Sequence, residues 1–449
     1  MKKILIAAIA ILSVQMAGAQ GKTPEAAKAA VDKADAAVAK AEAAYAAKPN
    51  KPVKATVYIA QAKAYMDAYN APFGNGMLGQ DRTQVALLMT GTKPKSSEVV
   101  ELSGEQFTKD AYKSVNYYYN ANNILAIIEV TKPVDKEALE KSLQAYAKAA
   151  AVDTKGAKTK DIKLAIADIN EKFITEAYNQ YTFGKIAEAS VYFEKAAAAK
   201  ATAPVSEFDS TAVYNAGFTA WIAGDNDRAL KFFNDCYNAG YYYEEGEVYS
   251  KLNDIYGKKG DAAKGVEYLK EGFVKFPQSQ SILVNLINYY LTTGEDTDEL
   301  FRLLDKAKAN DPSNASLYYV EGNTYAKLGK KEEAIASYKK SLEVNPEYEF
   351  GYVGQGILYY EEMIAIAEEA NALDYSKWRE YDALMVKYYE AAEQAVTPFM
   401  LAYETSKDES LKYNIAQYIR DISFRLRQKG EQYNATYEQF DAIVKAGQN

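Results

Sequence analysis

Through residues 315–348 apolar and small side chains fall in triplets spaced four and then three apart. Tyr318, Gly322 and Tyr325 make the first triplet, and Ala334, Tyr338 and Ser341 the second. That spacing keeps each triplet on one face of a helix with 3.6 residues per turn. Gly329 breaks the pattern between them and Asn345-Pro346 ends it. The stretch therefore predicts two antiparallel helices. Gly322 and Ala334 let them approach closely, Tyr325 and Tyr338 fill the space between, Gly329 suits a helix C-terminus and Pro346 stops the second helix. The same order recurs upstream. Residues 246–279 carry Tyr249, Asn253, Tyr256, Gly260, Leu269, Gly272 and Pro277. Residues 280–313 carry Leu283, Tyr290, Gly294, Leu304, Ala307 and Pro312, with about one extra residue after Gly294. From Ser210 come Val213, Gly217, Ala220, Gly224, Ala229, Phe233 and Cys236, followed by an insert at 239–245. A weaker unit holds Ala177, Gly184, Ala189, Phe193 and Ala196. A repeat this short cannot bury its apolar face alone, so tandem copies stack into one continuous core.

The flanks are less regular. Residues 23–48 are rich in Ala, Lys and Glu and predict a helix, broken at Pro49-Asn50-Lys51-Pro52. A second helix is expected over 53–69, with Val57, Ala60, Ala64 and Ala68 on one face. Residues 71–84 read as a loop, with Gly74, Gly76 and Gly79 around Phe73 and Leu78, and 90–104 as irregular chain. Helices are expected again over 105–130 and 135–151, and from 161 the array begins. Beyond Tyr348 the period stretches. An overlong helix over 352–373 is followed by a partner over 378–395, ending near Pro398. A helix over 409–429 carries a stripe of Ile415, Ile419, Ile422 and Leu426, and a more polar one over 431–445 suits the capping role of a terminal repeat. The division expected is 1–19 as a signal peptide, 20–165 as an N-terminal helical region with a long loop, 166–348 as the core array, and 349–449 as repeat-like helices with a cap.

The signal-peptide assignment rests on Lys2 and Lys3, the apolar run 4–14, and small residues at Ala17 and Ala19, with Gln20 as the expected new N-terminus. An apolar helix of that length reaches roughly 16 Å, about half the bilayer core. No cysteine lies beside the cleavage site for lipid attachment, and no later stretch has the length of a membrane span. The opening residues and the ending Ala17-Gly18-Ala19-Gln20 resemble export signals of Gram-negative Bacteroidota, which implies a periplasmic address, peripheral to the outer membrane.

Composition then removes most chemistry. The 449 residues contain no histidine, which excludes triads and zinc sites that need an imidazole from this chain. The single cysteine, Cys236, excludes an intrachain disulfide and falls at a small core position, where an inert buried thiol is expected. The net charge of −8 argues against non-specific nucleic-acid binding. It divides unevenly. Residues 21–165 hold 21 bases and 16 acids, and 166–449 hold 30 bases and 45 acids, a distribution that reads as solvated helix faces. Adjacent acids such as Glu332-Glu333 and Glu361-Glu362 point about 100° apart on a helix and do not share a site. The glycine-rich segment Phe73-Gly74-Asn75-Gly76-Met77-Leu78-Gly79 lacks the Lys-Ser/Thr of a phosphate loop and reads as a turn. No residue is assigned to catalysis, to a cofactor or to a metal. Asp209-Ser210-Thr211 resembles the O-glycosylation acceptor of Bacteroidota, and Asp209 or Ser210 is equally placed to cap the next helix. Tyrosine is the outlier, with 39 against 16 phenylalanines. Most are expected in the repeat core, and the rest offer amphipathic contact area.

The small-aromatic-glycine-small-aromatic-small-proline order resembles the tetratricopeptide repeat. The resemblance implies an all-α, right-handed solenoid of helix-turn-helix repeats, whose ligands lie along a groove lined by the first helix of each repeat. Its groove positions fall on Tyr214, Phe218 and Trp221, on Ser250 and Asp254, on Val284, Asn288 and Leu291, and on Tyr319, Asn323 and Ala326. Asn288 and Asn323 hold equivalent places, and an amide offers both donor and acceptor to an extended peptide. The lysines of the family's carboxylate-tail clamp are replaced here by Val284 and Tyr319. The expected function is a non-catalytic protein- or peptide-binding scaffold of the cell envelope. The alternatives are a glycan-binding module, or a scaffold that assembles with itself. No nucleic-acid partner is expected.

Overall fold

The computed structural model describes residues 22–50, 52–89, 92–293 and 298–447. The expected signal peptide and Gln20 lie outside the described residues. The described chain forms 18 α-helices and one four-stranded sheet, and it divides into two compact units at Tyr241/Tyr242, inside the repeat array.

The first unit opens with the expected hairpin, α1 (Pro24–Ala47) and α2 (Ala55–Asn70). Thr23 caps α1 through the Ala26 amide. Alanines at 27, 62 and 68 are fully buried, and so small a side chain brings the helix backbones close. After the sheet come α4 (Ala138–Val152), which packs on α2, then α5 (Thr159–Thr182), α6 (Ile186–Ala201), α7 (Ser210–Ile222) and α8 (Asn226–Asn238). Ile162, Ile166, Ile169 and Phe173 line the buried face of α5, and Phe193 and Phe233 fill the next two hairpins. Each such side chain contributes about 2–3 kcal/mol by leaving water. Buried polar groups are satisfied across the layers. Ser142 Oγ donates to the Ala62 carbonyl at 2.8 Å, Asn170 Nδ2 to that of Ala196 at 2.8 Å, and Ser190 Oγ to that of Ala216 at 2.7 Å. Asp209 caps α7 by accepting from the Ala212 amide at 3.1 Å.

The region 105–130 departs from the expected helix. It forms β2 (Glu105–Ala111), β3 (Val115–Tyr119) and β4 (Leu125–Val130), preceded by β1 (Ser96–Leu102), in an antiparallel meander of order β1-β2-β3-β4. The turns explain it. Ser103 and Gly104 both have positive φ, 50° and 81°, the geometry of a two-residue hairpin between strands that twist right-handedly. Asn120 Oδ1 accepts from the amides of Asn122 and Ile124 and closes the β3–β4 turn. The glycine-rich segment is also more than a turn. The Gly79 amide donates to the Leu125 carbonyl and the Leu125 amide to that of Gln80, both at 2.8 Å, so the segment straps the β4 edge. Tyr117 donates to the Phe73 carbonyl, and a Cβ on Gly76 would lie 2.7 Å from its ring. A short helix, α3 (Arg82–Leu88), begins inside the span expected as loop. Its Val85 packs with Tyr117, Tyr119 and Leu125 on one face of the sheet. On the other face Tyr118 meets Phe183, just past α5, edge-on at 5.4 Å.

One buried acid of this unit has a consequence for pH. Tyr69 Oη donates to Glu176 Oε1 at 2.8 Å. Burial nonetheless raises the Glu176 carboxyl above its ordinary value of 4.5. The folded chain then holds the proton more tightly than the unfolded one, so stability falls as pH rises above about 4.5. Glu176→Gln is expected to flatten this decline, read as the urea midpoint against pH for both chains. Parallel curves would contradict it.

The second unit repeats the hairpin. It contains α9 (Glu247–Lys258), α10 (Ala262–Lys275), α11 (Gln280–Thr293), α12 (Asp298–Asn310), α13 (Ala315–Lys327) and α14 (Lys331–Val344). Gly322 allows close approach as expected, and what it meets is Tyr338. A Cβ there would lie 2.5 Å from the ring, and one on Gly354, at the start of the next repeat, 2.6 Å from the same ring. Gly272 takes the same part against Tyr249. Tyr325 departs from its expected place between α13 and α14. It packs against Phe301 of the preceding α12, ring centroids 4.7 Å apart. Gly329 adopts a φ of +70°, the left-handed cap that lets the Lys330 amide reach back to the Tyr325 carbonyl.

The long hairpin then appears as α15 (Glu349–Asn371) and α16 (Trp378–Thr405). Pro398 does not end α16, which runs on to Thr405. Ala391, Ala395, Phe399 and Ala402 keep one buried face across the proline, and Phe399 stacks on Tyr418 at 4.9 Å. That packing outweighs the one backbone hydrogen bond proline removes. The expected stripe of α17 (Glu409–Leu426) is buried throughout, while α18 (Glu431–Ala446) buries only Phe440 and Val444. Among the described residues no helix is long and apolar enough to cross a membrane.

Cys236 sits wholly buried on α8, and burial pushes its thiol up to about 12, with Asp235 adding to the shift. The folded chain is expected to resist an aromatic disulfide reagent at neutral pH and to react fully in guanidinium. Fast modification of the native chain would contradict the placement.

Candidate functional site

In the second unit the first helices of successive repeats lie side by side: α11 touches α9 and α13, and α13 touches α15. Their common face carries the polar and aromatic positions expected to meet a ligand. Tyr319, on α13, is half-buried at the centre of an aromatic group. Its ring lies 5.9 Å from Tyr338, 5.9 Å from Tyr348 and 5.8 Å from Phe350. Tyr348 and Phe350 are themselves 5.5 Å apart, and Gln280 Nε2 approaches the Tyr348 hydroxyl at 3.5 Å. Such tilted and edge-on contacts order the rings at little entropic cost to a later ligand.

Asn323 is not wholly available. Its Oδ1 accepts from Tyr338 Oη at 2.8 Å, and its amide polarity favours the ionised form of the Tyr319 hydroxyl beside it. It therefore positions the Tyr338 ring, leaving one lone pair for anything bound above. Asn288, its counterpart on α11, is exposed, and Val284 one turn earlier is 49% exposed. The other implied groove positions are occupied internally. Ser250 Oγ donates to Ser281 Oγ at 3.0 Å, and Asp254 pairs with Lys258 at 2.6 Å.

The first unit places its three expected residues along α7. Tyr214 is 2% exposed, so it is core rather than surface. Its ring stacks on Phe218 at 6.0 Å and meets Phe233 edge-on at 5.7 Å. Phe218 in turn lies 6.0 Å from Trp221, and both are half-buried. The three make one aromatic row in which only the last two reach the surface.

Burial raises the hydroxyls of Tyr319, Tyr338 and Tyr348 above their ordinary value of 10, so all three remain neutral donors at physiological pH. Among the described residues no group of three or more acids and thiols is placed to hold a metal ion. The face is equipped to bind by apolar contact and hydrogen bonding. Sequence reasoning missed Tyr348, Phe350 and Gln280. The first two lie beyond the proline that closes the repeat, and only the seating of one repeat on the next brings them to Tyr319.

A family model described as "Tetratricopeptide repeat" matches residues 315–348. A tetratricopeptide repeat-containing protein of Methanocaldococcus jannaschii is 27% identical over 166 residues, covering 33% of this chain and 29% of that protein. The chain thus spans less than a third of that relative's length. Among solved structures, YrrB, a tetratricopeptide repeat protein with an unusual peptide-binding site, is 21% identical. It covers 43% of this chain and 95% of its own, with a TM-score of 0.27. A tetratricopeptide repeat protein from Parabacteroides merdae is 14% identical and covers 64% and 93%, with a TM-score of 0.32. The match spans the hairpin α13–α14, and in the hairpin α9–α10 a glycine and a tyrosine also meet, Gly272 on the second helix against Tyr249 on the first. Residues 315–348 thus match a tetratricopeptide repeat, set within an array of similar helical hairpins.

Proposed function

We propose that this protein is a non-catalytic scaffold that holds an extended peptide or a protein segment along the first helices of its repeats. The observation that carries this reading is the face of α11, α13 and α15. Tyr319, Tyr348 and Phe350 form a preassembled aromatic floor there, with the exposed amide of Asn288 on the same set of helices. Apolar side chains of a peptide pack on the rings while amides bond its backbone. The envelope is the proposed place of action, supported by Lys2 and Lys3, the apolar run after them, and Ala17 and Ala19.

The test is affinity capture from an envelope extract on the immobilised chain. Tyr319→Ala combined with Asn323→Ala is expected to lose the captured partner while keeping the helical circular-dichroism signal. Asn288→Ala alone removes no packing and is expected to weaken capture. Full retention by the double variant would remove this face from the function. Binding on a glycan array with no captured protein would move the assignment to sugar recognition, and a mass that rises with concentration in light scattering would move it to self-assembly.

A further inference from the structure

A cleft lies in the long hairpin, and none of its lining residues belongs to the Tyr319 face. The last turns of α15, the first turns of α16 and the end of α17 enclose a cleft of about 240 Å³. Tyr381, Tyr388 and Tyr389 form its aromatic wall with Met385 beside them, Ala370 is another lining residue, and Arg425 also lines it.

The charges set the ligand. Arg425 Nη1 donates to Tyr388 Oη at 3.2 Å, which fixes the guanidinium against a buried phenol. Lys429 Nζ stands 4.6 Å from the centroid of the Tyr389 ring. Among the described residues neither cation forms an ion pair. Asp421, one turn before Arg425, pairs with Arg420 at 3.0 Å and acts on Arg425 only through space. Arg425 lies in the last turn of α17, where the helix dipole steadies a cation without neutralising it, and Lys429 follows three residues past the helix end. Two unpaired cations beside tyrosine rings form a receptor for an anion, since a guanidinium offers paired N–H groups to a carboxylate. The volume is below the roughly 300–1,000 Å³ of sites for drug-sized ligands, which limits the guest to one ring.

We propose that this cleft binds a small organic anion, a carboxylate carried on a single flat apolar ring. The ring packs on Tyr381 and Met385, and the carboxylate meets Arg425 with Lys429 nearby.

Isothermal titration of the full chain with 3-phenylpropionate tests it. Saturable binding is expected. Loss of about tenfold or more in affinity is expected when the acid is replaced by its uncharged amide, and again for Arg425→Gln. Tyr381 is 41% exposed, so Tyr381→Ala removes part of the wall without opening the core and is expected to weaken binding as well. Circular dichroism confirms that each variant is folded. Absence of saturable heat with the native chain, equal binding of acid and amide, or undiminished binding by folded Arg425→Gln would each overturn the proposal.

Discussion

Tyr338→Ala is expected to destabilise the second unit by about 3–5 kcal/mol, the range for deleting a large aromatic side chain from a packed core. The ring is 2% exposed and wedged between two backbones, that of α13 at Gly322 and that of α15 at Gly354. It also packs on Tyr319, and its hydroxyl donates to Asn323. Alanine leaves a cavity that touches three helices. Two positions where a glycine already brings the backbone close have no side chain with which to fill it. Tyr338→Phe keeps the ring and loses one hydrogen bond, for which about 1 kcal/mol is expected. Gly322→Ala approaches the same ring from outside. Its new Cβ would lie 2.5 Å from the ring, and overpacking of about 1–3 kcal/mol opposes a helix-propensity gain of about 1 kcal/mol. Urea unfolding followed by circular dichroism orders the three. A Tyr338→Ala chain no weaker than Tyr338→Phe would mean that the ring is not the keystone described here.

Arg82→Leu is expected to cost about 3 kcal/mol and to loosen the sheet selectively. Asp110 on β2 has only 5% of its side chain exposed, and Arg82 grips it with two bonds, Nε to Oδ2 at 2.9 Å and Nη2 to Oδ1 at 2.6 Å. The same guanidinium reaches Ser97 Oγ on β1 at 2.9 Å and lies 5.5 Å from the centroid of Tyr119 on β3. It thus ties three strands to α3. Removing it leaves a carboxylate inside the fold with no counter-charge, which is worse than having neither group. Arg82→Leu combined with Asp110→Leu is therefore expected to recover most of the loss. Hydrogen exchange gives the readout: amides of β2 and β3 lose protection in the single variant, while those of α5 to α8 keep it. Equal loss in both regions, or a double variant no better than the single, would contradict the pairing.

These two sites differ in how readable they were. Tyr338 and Gly322 sit sixteen positions apart in one hairpin, and a local period of four and three puts each on the inward face of its helix. Arg82 and Asp110 sit on two elements, a helix that begins in a span expected as loop and a strand in a span expected as helix. The strands were hidden for a physical reason. Half-covered strands alternate apolar with polar residues, but β3 is covered on both faces, so Tyr117, Tyr118 and Tyr119 are all buried and the period of two disappears there. The segment 105–113, rich in Glu, Lys, Asp and Ala, then reads as helical. The dipeptide Ser103-Gly104 was the available hairpin signal.

The expected site shows the same split. The first-helix positions follow from repeat spacing, and Tyr319, Asn288 and Phe218 do reach the surface. Whether a given ring is floor or core does not follow from spacing. Tyr214 and Tyr319 hold comparable places, yet Phe233 and Tyr241 close over the first, while the second keeps an open side among Tyr348 and Phe350.

Sequence by itself determined the helical hairpins, their glycine contacts, the buried stripe of α17 and the inert place of Cys236, because each depends on periodicity within a few turns of chain. Tertiary structure alone decided the inserted sheet, the course of α16 through Pro398, the Arg82–Asp110 pair and the cleft at Arg425. Those rest on contacts between segments far apart in the chain, where burial and charge pairing override local preference.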